Sequence, residues 1–467
     1  MRGFGGCVRT IFLVALVAGC MSRPVSVGPV RGGNLTIASF SCDVTPPVGH
    51  PLCGGWIKPL AVVDAPLLAK GIVLSNGKTR YVLCAVDWCQ LNTASHDLLC
   101  RRIAEAADIP ESQVAVQTVH PHDAPIADAN AQRLLDRETS APAHLDLRFM
   151  DAVGDRVAAA VRQAVKRMRP FTHVGYGMAK VEKFASNRRV VKVNGKVRTR
   201  MSSTKDPAYH AAPEGKIDPW LRTITFFDRD TPIVRLHYYA SHPQSYYGRG
   251  HASPDVPGWA RAQLERDEKI PHIYFTGCAG DVAAGKYNDG TDEARTQMIA
   301  RLVAAMREAI GATRKAPVSE ISWKTAEVRF APRTEPEFAE AGFRKEIADP
   351  RAPSIKRLKA ALALAWCERV AGRPGVEISC LRLGPVRIVH LPGEPFIEYQ
   401  LYAQSRRPDD FVAVAGYGDC GPGYICTDDA FAEGGYEPTE SFAGPPSERL
   451  LKAAIADLLD GEAKPPK

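Results

Sequence analysis

The feature that most constrains this chain is a regular alternation of short β-branched or aromatic runs with longer amphipathic stretches. The short runs predict strands at 34–40, 70–75, 80–86, 113–118, 172–179, 222–228, 232–239, 271–276, 319–330, 377–382, 386–391 and 411–415. The longer stretches predict helices over 95–107, 144–168, 257–267, 292–313, 336–349, 354–371 and 446–459. Within 144–168, Leu147, Met150, Val153, Val157, Val161 and Val165 recur at helical spacing and mark one core-facing stripe. Strands and helices interleaved in this way imply an α/β architecture, a mixed sheet layered with helices. No internal repeat and no linker rich in Pro, Gly or Ser divides the chain beyond its first residues, so one large domain is expected over 34–467. The Gly- and Pro-rich region 415–445 reads as a long ordered loop, a kind of segment that commonly carries function.

The N-terminus reads as a leader. Arg2 and Arg9 form a positive region, Ile11 to Val17 is a short apolar stretch, and Val17-Ala18-Gly19 places small residues before Cys20. The pattern is similar to a bacterial lipoprotein signal over 1–20, with Cys20 as the acylated residue; a plain secretory signal cleaved nearby is the alternative. Either reading predicts export, and the first predicts a membrane-anchored lipoprotein, periplasmic or at the cell surface. Residues 21–33 then form a flexible tether. No later apolar stretch approaches the roughly 20 residues needed to span a bilayer. The formal charge of +8 is spread along the chain rather than gathered in a block, which argues for a mildly cationic surface and against a nucleic-acid-binding arm.

Of the 12 cysteines, Cys7 goes with the leader and Cys20 to lipid, which leaves an even set in an oxidising compartment. Some disulfides are therefore expected, with Cys42/Cys53, Cys84/Cys89 and Cys420/Cys426 as candidates by closeness in sequence.

Five segments carry residues suited to chemistry. In TVHPHDAP (Thr118 to Pro125), Pro121 favours an extended His120, and alternate residues of an extended segment face one side, so His120 and His122 can share a site. Two imidazoles at a strand end suit a metal or acid–base centre; two surface loop histidines are the plainer reading. In HYYASHPQS (His237 to Ser245), Pro243 again follows a histidine, His242, while His251 sits in a Gly- and Ser-containing loop and is expected to face solvent. FTGCAGDV (Phe275 to Val282) has the small residues of a turn that brings backbone N–H groups to a ligand, or simply of a tight strand-to-loop turn. LPGEPF (Leu391 to Phe396) offers Glu394 as a carboxylate ligand. The segment Gly416 to Glu437 carries Tyr424 and Tyr436 among glycines.

Taken in order, with DVTPPVGHPLCG (Asp43 to Gly54) before them, these segments resemble the N-terminal catalytic domain of the neutral/alkaline, non-lysosomal ceramidases. The resemblance runs to Leu458. It implies an α/β catalytic domain without the immunoglobulin-like domain that follows it in the family. It implies Zn2+ as cofactor, held by His120, His242, Glu394 and Tyr424, with His122 beside the metal. Arg188 (in SNRR) and Tyr436 match active-site positions of the family. A zinc site of this kind hydrolyses a linear amide, here an N-acyl bond in a lipid or related amphiphile of sphingolipid metabolism.

One position departs from the pattern. Gly277 stands where the family's ceramidases place a serine, so no serine nucleophile is available there. The neighbouring Cys278 is better read as a packed or bridged thiol than as its replacement. The departure leaves two other readings open: a surface lipoprotein that binds a ligand without turnover, and a hydrolase of a different amide or ester such as an acylated amino sugar.

Overall fold

A computed structural model of the chain describes Met1 and residues 35–191, 195–245, 247–373 and 375–460. The predicted leader, the tether and Cys20 lie outside the described residues. From residue 35 onward the described residues belong to one compact unit.

Three sheets of four or five strands, with several two-stranded ones beside them, form among the described residues where the sequence suggested one. The first contains β1 (Thr36–Asp43), β2 (Leu68–Ser75), β3 (Arg80–Val86), β4 (Val114–Thr118) and β5 (Arg169–Pro170), in the order β4-β3-β2-β1-β5. The second contains β6 (His173–Lys180), β7 (Trp220–Asp228), β8 (Thr231–Tyr239), β9 (His272–Thr276) and β10 (Arg314–Pro317), in the order β9-β8-β7-β6-β10. The third is β11 (Ser322–Val328), β12 (Val376–Leu383), β13 (Val386–His390) and β14 (Phe411–Ala415), in sequence order. The predicted strand 319–330 is really β11, preceded by β10 in the second sheet, so the chain changes sheets between Pro317 and Ser322.

The longer helices are α1 (Thr93–Ala107), α2 (Leu147–Lys166), α3 (Asp255–Glu268), α4 (Asp292–Gly311), α5 (Glu340–Ala348), α6 (Ser354–Gly372), α7 (Ile397–Arg406) and α8 (Ser447–Asp460). In α2 the Asp146 carboxylate caps the N-terminus by accepting from the Arg148 and Phe149 amides, and Met150, Val153, Val157 and Val161 are buried as the stripe requires. Helix α7 escaped the sequence reading because its buried residues, Ile397, Tyr399, Gln400 and Ala403, include a polar one and form no clean helical stripe. The region 415–445 is ordered, and it holds a two-residue strand at Tyr424–Ile425, a short helix Asp428–Glu433 and a 3-10 turn Glu437–Glu440.

One rule organises the three sheets. Each ends in a single parallel pair: β3 with β4, β8 with β9, and β13 with β14. Parallel neighbours need a crossover, and α1, α3 and α7 supply the three. Open α/β layers bind their ligands beyond the carboxyl ends of such strands. Here those ends are stitched together: Thr118 N–H donates to Tyr417 O at 2.8 Å, Gly416 N–H to Thr276 O at 2.9 Å, and Thr276 Oγ1 to Val119 O at 2.5 Å. Alternate residues of β3 feed two cores, Tyr81, Leu83 and Ala85 into one and Val82, Cys84 and Val86 into the other. Among the described residues no helix is long and apolar enough to cross a membrane.

None of the ten described cysteines is bridged, so the three pairs suggested by spacing do not form. The reason lies in the topology: Cys84 is inside β3 while Cys89 lies past its end, and the thiols that influence one another are Cys42 with Cys84 and Cys53 with Cys89.

Candidate metal centre

The carboxyl ends of the parallel strands deliver the predicted site residues one by one. His120 lies two residues beyond β4, His242 three beyond β8, and Glu394 four beyond β13. All three are buried. His120 is not extended as Pro121 suggested; its φ of 74° is left-handed, an uncommon conformation for a non-glycine residue. The strained turn still aims the ring inward. His120 Nε2 lies 3.0 Å from His242 Nε2 and 3.3 Å from Glu394 Oε2, and His242 Nε2 lies 3.7 Å from the same oxygen.

The hydrogen bonds around this trio settle which ring nitrogens carry protons. His120 Nδ1 lies 2.5 Å from Cys89 O, and His242 Nδ1 lies 3.0 Å from Ala279 O. A carbonyl can only accept, so both Nδ1 atoms are donors, and each Nε2 is the nitrogen that faces the trio. Burial, the neighbouring His120 and then Arg188 hold the His242 pKa well below the ordinary histidine value, which keeps that ring neutral. Glu394 Oε1 accepts from Gln90 Nε2 at 2.6 Å, while Oε2 has no hydrogen-bond partner. Two ring nitrogens and a carboxylate oxygen thus face one another, an arrangement relieved by a shared cation. An unpaired buried acceptor costs about 1–3 kcal/mol, and more when charged, so the arrangement favours a cation. Donors at about 2.0–2.2 Å around a tetrahedral ion stand roughly 3.3–3.6 Å apart, and the observed separations average close to that spacing. The residues fit a small divalent metal.

The other predicted residues surround the trio. The short strands Glu394–Pro395 and Tyr424–Ile425 pair in parallel with Glu394 opposite Tyr424, which places the phenol beside the carboxylate. The Tyr424 ring stacks on His242 at 6.4 Å, and its hydroxyl accepts from Arg188 Nη1 at 3.1 Å. Burial first, and Glu394 next, push the Tyr424 pKa well above 10, so a phenolate there requires a cation. Arg188 is itself buried; its guanidinium sits 5.8 and 5.2 Å from the centres of the Tyr424 and Tyr436 rings. Tyr436 meets Tyr424 edge-on at 5.9 Å. His122 is half-buried, with its ring 4.8 Å from His120, 5.2 Å from His242 and 5.7 Å from Tyr247. Burial, His120 and Arg188 lower its pKa well below 6.5. One cleft is lined by His120, His122, Glu394, Tyr424 and Tyr436.

Gly277 is not among the residues lining that cleft. A side chain there would meet Gln400 Oε1 at 2.4 Å and Ala240 Cβ at 3.1 Å, so the position is filled from behind by α7. Three of the turn's amides are already bonded. Gly277 N–H donates to Tyr239 O, Cys278 N–H to Gln400 Oε1 and Gly280 N–H to Pro395 O. Three amides of FTGCAGDV are thus engaged in the tight turn. The turn serves the site through Ala279 O, which orients His242, and through Gly280, where a Cβ would strike Glu394 O at 2.3 Å. Cys278 is a packed thiol, fully buried and unbridged, with its pKa raised by burial. His251 is partly exposed and pairs with Asp64 at 2.8 Å.

Sequence reasoning missed Gln90, Cys89 and Tyr417. Cys89 O fixes the His120 ring and Gln90 fixes Glu394; both follow β3, whose carboxyl end was the available signal. Tyr417 stacks on His120 at 4.3 Å, and its hydroxyl lies 3.4 Å from His242 Nδ1.

Three crossover units converging on two imidazoles and a carboxylate define an α/β fold with a candidate metal centre at the carboxyl ends of its parallel strands. The same fold occurs in two solved structures, a neutral ceramidase from Pseudomonas aeruginosa and a ceramidase complexed with C2. Each is 17% identical with a TM-score of 0.67 over 93% of this chain; the match covers 76% of the first and 77% of the second. The chain thus has the fold of these ceramidases. No family model matches the sequence. No curated protein matches it either.

Proposed function

We propose that this chain is a zinc-dependent hydrolase of a linear amide, cleaving an N-acyl bond in a lipid or similar amphiphile. The observation that carries the reading is the buried trio of His120, His242 and Glu394, whose facing donor atoms a shared cation would stabilise. Nitrogen and carboxylate donors at this spacing suit zinc, and Tyr424 is placed to complete the set. The ceramidase fold supports the same substrate class.

When bound, zinc supplies a Lewis acid that polarises the amide carbonyl and makes water nucleophilic near neutral pH. The chain's own residues do the rest. His122, neutral because of burial and its cationic neighbour, accepts the proton released from the attacking water and returns it to the leaving nitrogen. Arg188, fixed by Tyr424 and the Gly280 carbonyl, keeps positive charge beside the cleft, where it and the Tyr436 hydroxyl stabilise the oxyanion that develops on the carbonyl oxygen. With Gly277 backed by Gln400, neither a serine nor Cys278 has a part in the attack. Purified protein stripped by a chelator should lose N-acyl hydrolysis and regain it with zinc, and His122→Ala should keep its zinc while losing at least ~100-fold in kcat. Full activity without metal would contradict the proposal.

Residues 1–20 and Cys20 extend the proposal to export and lipid anchoring, which rest on the sequence alone. Radiolabelled palmitate should enter the wild-type chain and not Cys20→Ala.

A further inference from the structure

The metal cleft holds sulfur as well as oxygen donors. Cys53, Cys89 and Cys420 line it together with His120 and His122, and all three cysteines are buried. The reaction outlined above uses none of these thiols. Cys89 lies three residues beyond β3, where its N–H donates to Pro125 O at 2.8 Å and holds it beside the chain that follows His122. Its Sγ stands 3.9 Å from His120 Nδ1. Cys89, His120 and His122 each offer one ligand atom, and the three atoms lie within 4.8 Å of one another. Cys53 and Cys420 are near enough to act electrostatically on the Cys89 thiol, so this end of the cleft is rich in soft donors.

We propose that Cys89, His120 and His122 form a second cation position in this cleft, selective for a soft, thiophilic metal ion and exclusive with the first. One thiolate and two imidazoles make a soft donor set, whereas His120, His242 and Glu394 bring a carboxylate oxygen and no sulfur. Zinc at about 2.3 Å from sulfur and about 2.0–2.1 Å from nitrogen holds those donors roughly 3.6 Å apart. The observed 3.9 Å suits a slightly larger ion. Exclusivity comes from His120, because a neutral imidazole has a single lone pair. With its proton on Nδ1, bonded to Cys89 O, that lone pair belongs to the Glu394 side. When a soft cation takes Nδ1, the proton passes through water to Nε2, where Glu394 Oε2 at 3.3 Å accepts the new hydrogen bond. The Cys89 thiol gives its own proton to solvent, so one thiolate and two neutral rings hold the ion and no electron is transferred. His122 is then a ligand and no longer a base, which stops turnover; that consequence alone rests on the hydrolase reading.

Cadmium ion alone is the probe, added to the metal-free full chain. Thiolate bound to cadmium gives an ultraviolet charge-transfer band that imidazole and carboxylate ligands do not, so the band reports this position and not the first. Wild type should develop the band with one equivalent of cadmium, and Cys89→Ser should lose it. His122→Ala should weaken cadmium binding at least ~10-fold. Cys367→Ser, at a half-buried thiol that does not line the cleft, should leave the band intact. No band in wild type, or a band unchanged in both Cys89→Ser and His122→Ala, would overturn the proposal. Exclusivity is read from zinc-loaded protein by metal analysis after desalting. One equivalent of cadmium should release the zinc, and Cys89→Ser should need at least ~10-fold more cadmium for the same release. Zinc retained while the band is saturated would overturn exclusivity. Failure of the first position looks different: a chain that never keeps zinc but shows the band dependent on Cys89 and His122 supports the second position and refutes the first.

Discussion

Two buried histidine pairs in this molecule have nearly the same spacing and opposite chemistry. His237 Nε2 and His272 Nδ1 are 2.9 Å apart, and His120 Nε2 and His242 Nε2 are 3.0 Å apart. In the first pair His237 Nδ1 meets the Thr223 hydroxyl at 2.9 Å, a group that donates or accepts as needed. A consistent chain follows: Thr223 donates to His237, His237 donates to His272, and the far nitrogen of His272 looks toward Glu268 at 3.8 Å. In the second pair both outer nitrogens end on backbone carbonyls, and a carboxylate oxygen joins the contact between the inner ones. Proximity of histidines is thus not the signal. The signal is a buried carboxylate oxygen that faces both inner nitrogens and has no hydrogen-bond partner of its own.

Substitutions at the two pairs should separate these roles. The largest effect is expected at the buried trio: Glu394→Ala should abolish zinc retention and lower N-acyl hydrolysis by at least ~10³-fold, measured by metal analysis and initial rates. Retained zinc in that variant would break the comparison. Gln90→Leu should come next. It leaves the three donors in place but frees Glu394 Oε1, and zinc affinity measured by competition with a chelator should weaken about 10–100-fold. At the other pair, His237→Leu should cost about 2 kcal/mol of stability in denaturant unfolding by leaving Thr223 and His272 unpaired, with zinc content unchanged.

The effect confined to acid conditions is a pH slope. Burial, then Arg235 and Lys70, lower the His272 pKa from 6.5 to about 3. Between those values the unfolded chain binds a proton that the folded chain does not, so this contribution is complete above 6.5 and is lost as pH falls toward 3. His272→Leu should flatten the acid limb of the stability profile by at most about 1.4 kcal/mol per pH unit.

Much of the site was legible because its residues sit where pattern and chemistry coincide. The proline after His120 and the one after His242 marked strand ends, and Glu394 followed a β-branched run. The helix stripe of 144–168 was equally plain, since its valines repeat at one spacing and all face one core. What stayed hidden depends on contacts distant in sequence. Gln90 shows its role only when β3 and β13 bring it to Glu394, 304 positions away. The division into three sheets turns on where parallel pairs close, which periodicity does not encode. Gly277 looked like an altered nucleophile position, yet the space beside it is filled by a helix that no stripe announced.

The central claim is that His120, His242 and Glu394 share one cation, and anomalous diffraction from zinc-loaded crystals at the zinc edge tests it most directly. The account predicts a single strong peak about 2.0–2.2 Å from both Nε2 atoms and from Glu394 Oε2. A peak elsewhere, or none beside these three donors at full zinc loading, would contradict it.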